Sequence, residues 1–128
     1  MSSTEAAADK VITKRAGAVA EIILNNPARH NAISLDMWQR MADVLVELAA
    51  DAGVRVLIIA GAGGKAFAAG ADISRFESER ATLEAVRNYN AVSAAASERL
   101  YNFPRPTIAK IQGYCIGGGV NIAACCDM

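Results

Sequence analysis

Two short stretches of this sequence combine small residues with the order strand, turn, helix. They are Ala68-Ala69-Gly70-Ala71-Asp72-Ile73 and Gly113-Tyr114-Cys115-Ile116-Gly117-Gly118-Gly119. Glycine lets the backbone take positive φ and come close to a ligand. A helix that starts immediately afterwards aims its unpaired N–H groups back at that ligand. If the two turns converge, two backbone donors meet on one oxygen, the arrangement that stabilises negative charge developing on a carbonyl or thioester oxygen. The alternative is that the glycines only permit tight helix–sheet packing, and for either turn alone that alternative is preferred. Three consecutive glycines opening an apolar helix weigh against it, because each costs about 1 kcal/mol relative to alanine.

Other chemistry-bearing patterns are weaker. Gly61-Ala62-Gly63-Gly64-Lys65-Ala66 fits G-x-G-x-x-A after an apolar strand. It lacks the helix that must open there, and the acidic residue about 20 positions on would fall near Glu84, inside an expected helix. This is the sole motive for considering a nicotinamide-dependent oxidoreductase. A P-loop is excluded because Ala66 follows Lys65 and the glycine spacing is wrong. Cys115, Cys125 and Cys126 are odd in number and far in sequence from His30, the single histidine, so neither a disulfide framework nor a metal site is expected. Reduced thiols packed as small apolar groups fit a cytoplasmic location.

The elements that must position the two turns can be read from periodicity. Residues 1–10 read as a flexible arm. Val11–Arg15 and Val19–Leu24 flank Ala16-Gly17-Ala18 as a hairpin. Ser34 is a helix cap with Asp36 in the first turn, and Trp38, Met41, Ala42, Leu45, Leu48 and Ala49 form one apolar stripe ending before Gly53. Val56–Ala60 reads as a strand buried on both faces. Asp72 suits the cap of a short helix from Ile73. A longer helix is predicted over Leu83–Leu100, closed by Pro104 and Pro106. Ile108–Ile111 is a strand, and Val120–Cys126 starts a buried helix. Helices separating apolar strands imply an α/β layered domain over residues 11–128. Met128 is expected to fall inside that last helix, leaving an apolar face without a partner, as in a fragment or a partner chain.

Composition bounds the function. The 128 residues are 53% hydrophobic and 20% charged, with thirteen basic against thirteen acidic side chains. This suits a single folded domain and gives no electrostatic motive for binding nucleic acid or a membrane surface. No apolar run approaches the roughly 20 residues a membrane span requires.

Four ordered blocks resemble the crotonase superfamily, which includes enoyl-CoA hydratases and isomerases. They are Leu24-Asn25-Asn26-Pro27-Ala28-Arg29-His30-Asn31-Ala32-Ile33, Val54 to Gly61, Ala66 to Ile73, and Pro106 to Gly119, with Ala123 to Met128 closing the series. The resemblance implies a ClpP/crotonase-type α/β fold of stacked ββα units, truncated before the carboxy-terminal helices. It implies an acyl-CoA thioester as ligand, with coenzyme A entering as part of the substrate and no permanently bound cofactor. It places the oxyanion-hole donors at the backbone N–H groups of Ala71 and Gly118. Ala69, Asp72 and Ile73 would lie along the CoA, with Ser74 close by. Arg29 would sit near the CoA phosphates or be a solvated loop charge, and Asp72 would be a ligand contact or only a cap. His30 is expected to be a loop residue, not a base. For a full-length parent the resemblance implies a homo-oligomer, a trimer or a dimer of trimers.

The sequence departs from the hydratase pattern at Asn121. Hydratases carry a glutamate two residues after the triple glycine, and a carboxamide cannot exchange a proton near neutral pH. The second hydratase glutamate belongs to a region this chain does not contain. Glu77, Glu79 and Glu84 are expected to face solvent. Isomerisation, decarboxylation, thioester hydrolysis and dehalogenation remain open, as does a catalytically silent CoA-ester binder.

Overall fold

The computed structural model describes residues 9–72 and 81–128. The chain runs β1 (Val11–Ala16), β2 (Val19–Leu24), a 3-10 turn (Pro27–Arg29), α1 (Leu35–Ala50), β3 (Val56–Gly61), β4 (Ala66–Ala68), α2 (Leu83–Tyr101), β5 (Thr107–Lys110), β6 (Tyr114–Cys115) and α3 (Gly118–Cys125). The described residues therefore repeat the run strand, strand, helix three times. The first four-stranded sheet has the order β1-β2-β3-β5, and β4 pairs with β6 in a second, two-stranded sheet.

The β1–β2 hairpin is antiparallel, and Gly17 supplies the positive φ (60°) of its turn. The β2–β3 and β3–β5 pairs are parallel, which requires a crossover between each pair; α1 and α2 lie in those connections. Every second residue of β2 (Ala20, Ile22, Leu24) is fully buried, as are Leu57 and Ile59 of β3. These side chains meet the apolar stripe of α1, in which Met37, Trp38, Met41, Val44 and Leu45 are buried.

α1 starts where expected. The Ser34 hydroxyl accepts from the Met37 N–H at 3.4 Å. Its stop differs from the expectation of Gly53. The helix closes at Asp51, whose φ of −87° and ψ of 104° are extended, and the Asp51 carboxylate then accepts from the Gly53 N–H at 2.9 Å. Arg105 Nη2 donates to the last carbonyls of the helix and its cap, Leu48 (2.8 Å), Ala49 (3.0 Å) and Asp51 (3.2 Å).

The end of the chain also differs. α3 is complete at Cys125, and Met128 is not inside a helix. The Met128 N–H donates to the Thr107 carbonyl (3.1 Å) and its carbonyl accepts from the Ala109 N–H (2.7 Å), so the last residue lies along the edge of β5. Asp127 fixes this return: its Oδ2 accepts from the Thr107 N–H at 2.9 Å, and its own N–H donates to Thr107 Oγ1 at 2.9 Å. At the other end, Asn25 donates to the carbonyls of Asp9 (2.9 Å) and Lys10 (2.7 Å), so the chain is anchored from Asp9 onward.

Candidate functional site: two glycine turns at parallel strand ends

β4 and β6 are too short to be read from periodicity, and the sequence did not predict them. Their parallel pairing, Ala66↔Tyr114 and Ala68↔Cys115 with an irregularity between, sets the two turns side by side. The Ile116 N–H continues the ladder to the Ala68 carbonyl at 3.0 Å. Two glycines make the approach possible. A Cβ on Gly113 would stand 1.9 Å from the Lys65 carbonyl oxygen, and one on Gly119 would stand 2.3 Å from that of Ala68. α3 therefore rests its first turn directly on the β4 backbone.

Beyond the paired strands the turns come close. A Cβ on Gly117 would be 3.5 Å from the Gly70 Cα, and one on Gly70 would be 3.6 Å from the Ile116 carbonyl oxygen. Both residues have positive φ, 100° at Gly70 and 54° at Gly117. The next peptide N–H in each turn, Ala71 and Gly118, has no acceptor among the described residues.

The direction of each donor is fixed through the carbonyl of its own peptide unit. In a trans peptide the C=O and N–H point opposite ways. The Gly70 carbonyl accepts from the Ile33 N–H at 2.7 Å, which turns the Ala71 N–H away from Ile33. The Gly117 carbonyl accepts from the Asn121 N–H at 3.1 Å, inside α3, which turns the Gly118 N–H out of the helix start. The chemistry such a pair can perform is to bind an oxygen that becomes more negative during reaction.

The remaining sequence-predicted residues are placed as follows. Ala69 is half-buried in the first turn. Asp72 is 3% exposed, its N–H donates to the Ile33 carbonyl at 3.1 Å, and its Oδ2 accepts from Asn26 Nδ2 at 3.2 Å. Its carboxylate thus faces the protein interior at Asn26. Ile73, Ser74, Glu77 and Glu79 lie outside the described residues, as does the helix expected from Ile73. Arg29 is exposed in the 3-10 turn. The adjacent His30 ring stands edge-on to the Tyr114 ring at 5.4 Å, bringing the Arg29 loop alongside β6. Glu84 is exposed on α2.

Asn121 is exposed on α3, and its Nδ2 donates to Ser97 Oγ of α2 at 2.8 Å. The Ser97 hydroxyl has one proton, and that proton goes to the Ser93 carbonyl at 2.9 Å. Ser97 must then accept from Asn121, which leaves the Asn121 carbonyl oxygen as the end turned away from α2. The cysteines are free thiols, half-buried, and burial pushes all three up, Cys126 to about 11. Raised thiols are poor nucleophiles. Gly61 to Ala66 opens no helix but leads directly from β3 to β4, so the dinucleotide fingerprint is not realised. Among the described residues no cluster of His, Cys, Asp or Glu could hold a metal, and no helix is long and apolar enough to cross a membrane.

Sequence reasoning passed over Asn31. It is fully buried: its Oδ1 accepts from the Asn26 N–H at 2.9 Å, and its Nδ2 donates to the carbonyls of Ala62 (3.0 Å) and Ala66 (2.7 Å). One amide thus ties the loop after β2 to both ends of the β3–β4 connection. The available signal was the recurrence of asparagine at 25, 26 and 31, since asparagine tolerates the left-handed φ of 58° found at Asn31.

Fold and site together define an α/β protein of strand-strand-helix units in which two glycine turns lie side by side at adjacent parallel strand ends. The enoyl-CoA hydratase/isomerase family model matches residues 14–128, and the chain belongs to that family. It is 37% identical over 120 residues to a short-chain-enoyl-CoA hydratase of Clostridium acetobutylicum, covering 94% of this chain and 45% of the relative. It is 32% identical over 119 residues to a crotonyl-CoA hydratase of Syntrophomonas wolfei, covering 93% and 45%. The crystal structure of an enoyl-CoA hydratase/carnithine racemase from Magnetospirillum magneticum superposes with a TM-score of 0.89 at 42% identity, over 94% of this chain and 45% of that one. The chain thus spans less than half the length of these relatives, and its fold is that of the enoyl-CoA hydratase structures over the part matched.

Proposed function

We propose that the two turns bind the thioester of an acyl-CoA, with the N–H groups of Ala71 and Gly118 both donating to the thioester oxygen. The observation that carries this reading is the closeness of the turns: a Cβ on Gly117 would stand 3.5 Å from the Gly70 Cα, and the next N–H in each turn is without an acceptor among the described residues. Two such donors polarise the carbonyl and let the α-carbon carry enolate character. Each is worth about 2.7–4 kcal/mol of transition-state stabilisation. Ala69, the Asp72 backbone, Ile73 and Ser74 would run along the CoA, and Arg29 would approach its phosphates from the loop beside β6. Coenzyme A is then substrate, and the reaction calls for no resident cofactor. An enoyl-CoA hydratase or isomerase type of reaction is the leading assignment, and a homo-oligomer the leading assembly.

The test is a calorimetric titration comparing crotonyl-CoA with its thioether analogue, which keeps the CoA and the chain but lacks the carbonyl. The thioester is expected to bind at least about 10-fold more tightly, since two hydrogen bonds are at stake. Equal affinity for the two ligands sinks the reading.

Asn121 favours a second reading, a CoA-ester binder without hydratase turnover. Its amide stands at the position of the first hydratase glutamate, is held by Ser97, and offers an acceptor but no exchangeable proton. On the leading reading Asn121 orients a water or an acyl substituent in some other crotonase reaction. The chain of residues 1–128 is predicted to turn over crotonyl-CoA little or not at all. Asn121→Glu in a full-length parent is expected to raise hydration of crotonyl-CoA, followed by loss of enoyl absorbance. No rise would mean that the site lacks more than this one acid.

A further inference from the structure

We propose that Trp38 and Tyr89 act as one positioning unit that sets the two backbone donors relative to each other. The inference rests on the reading of Ala71 and Gly118 as a donor pair, and it adds the residues that hold that pair.

The two turns belong to different strand-strand-helix units, and only a short, irregular ladder joins β4 to β6. Ala71 is aimed by Ile33, which belongs to the first unit, and Gly118 by the first turn of its own α3. Something must also fix the separation, because two donors act on one oxygen only within a few tenths of an ångström of the right spacing.

Trp38 of α1 touches both sides. Its ring edge, Cζ2, lies 3.2 Å from where a Cβ on Gly118 would stand, so the indole is the floor beneath the second turn. Its Nε1 donates to the Tyr89 hydroxyl at 3.1 Å. An indole N–H can only donate, so Tyr89 accepts here and turns its own proton elsewhere. That proton goes to the Ile33 carbonyl, 3.0 Å away. The same carbonyl accepts from the Asp72 N–H, and the Ile33 N–H holds the Gly70 carbonyl, so Ile33 grips the peptide units on either side of Ala71. One chain of contacts thus runs from Gly118 through Trp38 and Tyr89 to Ile33 and Ala71.

Its parts are rigid and dry. Trp38 is 3% exposed, Tyr89 7% and Ile33 fully buried. Helix packing alone would need only apolar rings at these positions. The hydroxyl and the indole N–H make a directional link that phenylalanine cannot make, and such a link is stronger where water is excluded.

The experiment records amide NMR spectra of the 128-residue chain as wild type, Tyr89→Phe and Trp38→Phe, each with and without crotonyl-CoA. Tyr89→Phe removes one oxygen and keeps the ring. Trp38→Phe breaks the same link from the other end. Unchanged Leu57 and Ile59 amides in central β3 certify the fold. Expected is a displacement of both the Ala71 and the Gly118 amides in each variant, with faster hydrogen exchange at both. Perturbation of Ala71 in Tyr89→Phe with Gly118 unmoved overturns the proposal, because the hydroxyl then serves only the Ile33 turn. Crotonyl-CoA is expected to shift both amides downfield in the wild type and to shift them less in both variants. If both variants displace both amides while crotonyl-CoA shifts neither in the wild type, the positioning unit stands and the acyl-CoA reading falls.

Discussion

At the scale of the residue, Asn31 shows how one side chain can be worth more than an apolar contact. It saturates three backbone groups, and two of them are carbonyls of the β3–β4 connection. Replacement by alanine leaves those groups buried with neither a partner nor room for much water. Asn31→Ala is predicted to destabilise the chain by about 2–4 kcal/mol, read as a lower urea midpoint at unchanged slope. Alanine also fits the left-handed φ of 58° poorly, which acts in the same direction. A loss under about 1 kcal/mol would mean that the carbonyls re-pair locally.

At the scale of the element, the C-terminus of α1 gathers charge from three segments. Asp51 ends the helix, Arg15 of β1 pairs with it at 2.6 Å, and Arg105 donates to three of the last carbonyls. The Arg15 hydrogen bond, followed by the Gly53 N–H, holds the Asp51 carboxyl below its ordinary value of 3.8, against a smaller opposing contribution from burial. Folding therefore favours the carboxylate. The stabilisation is complete above the unfolded carboxyl's pKa and is lost as pH falls through the lower folded value. Both groups are well exposed, so the effect is small. Asp51→Asn is predicted to narrow the gap between the urea midpoints at neutral pH and about pH 3. An unchanged gap would assign the acid sensitivity to other carboxylates.

At the scale of the whole molecule, the first sheet orders its strands by stability. β2 and β3 have neighbours on both sides, whereas β1 forms one edge and β5 the other. Among the described residues, the ladder along β5 continues through Asp127 and Met128. Hydrogen exchange is predicted to be slowest in Ala20–Leu24 and Leu57–Ala60 and faster in Val11–Ala16 and Thr107–Lys110. Equal protection in β5 and β3 would show that the β5 edge is covered in solution. The two glycine turns sit at the ends of the second, two-stranded sheet, with α3 packed against β4.

Local rules determined much of this protein in its sequence alone. The hairpin, the start of α1 at Ser34, the buried β3, the α2 helix and the two glycine turns are each fixed within a few residues by periodicity, caps and the steric freedom of glycine. The motif order carried the family and, with it, the expected donors at Ala71 and Gly118. The sequence by itself missed what depends on partners distant along the chain. β4 and β6, of three and two residues, have no period to read and exist because Gly113 and Gly119 let other backbones lie against them. The stop at Asp51 in place of Gly53 is accompanied by Arg105, more than fifty residues away, which donates to the Asp51 carbonyl. The hydrogen bond from Asn26 to the Asp72 carboxylate joins residues forty-six apart in the chain. Trp38 reads in sequence as one more apolar residue of a stripe. Only packing gave its N–H a hydroxyl at Tyr89 and put its ring under Gly118, because a hydrogen bond and a van der Waals contact are properties of two surfaces brought together.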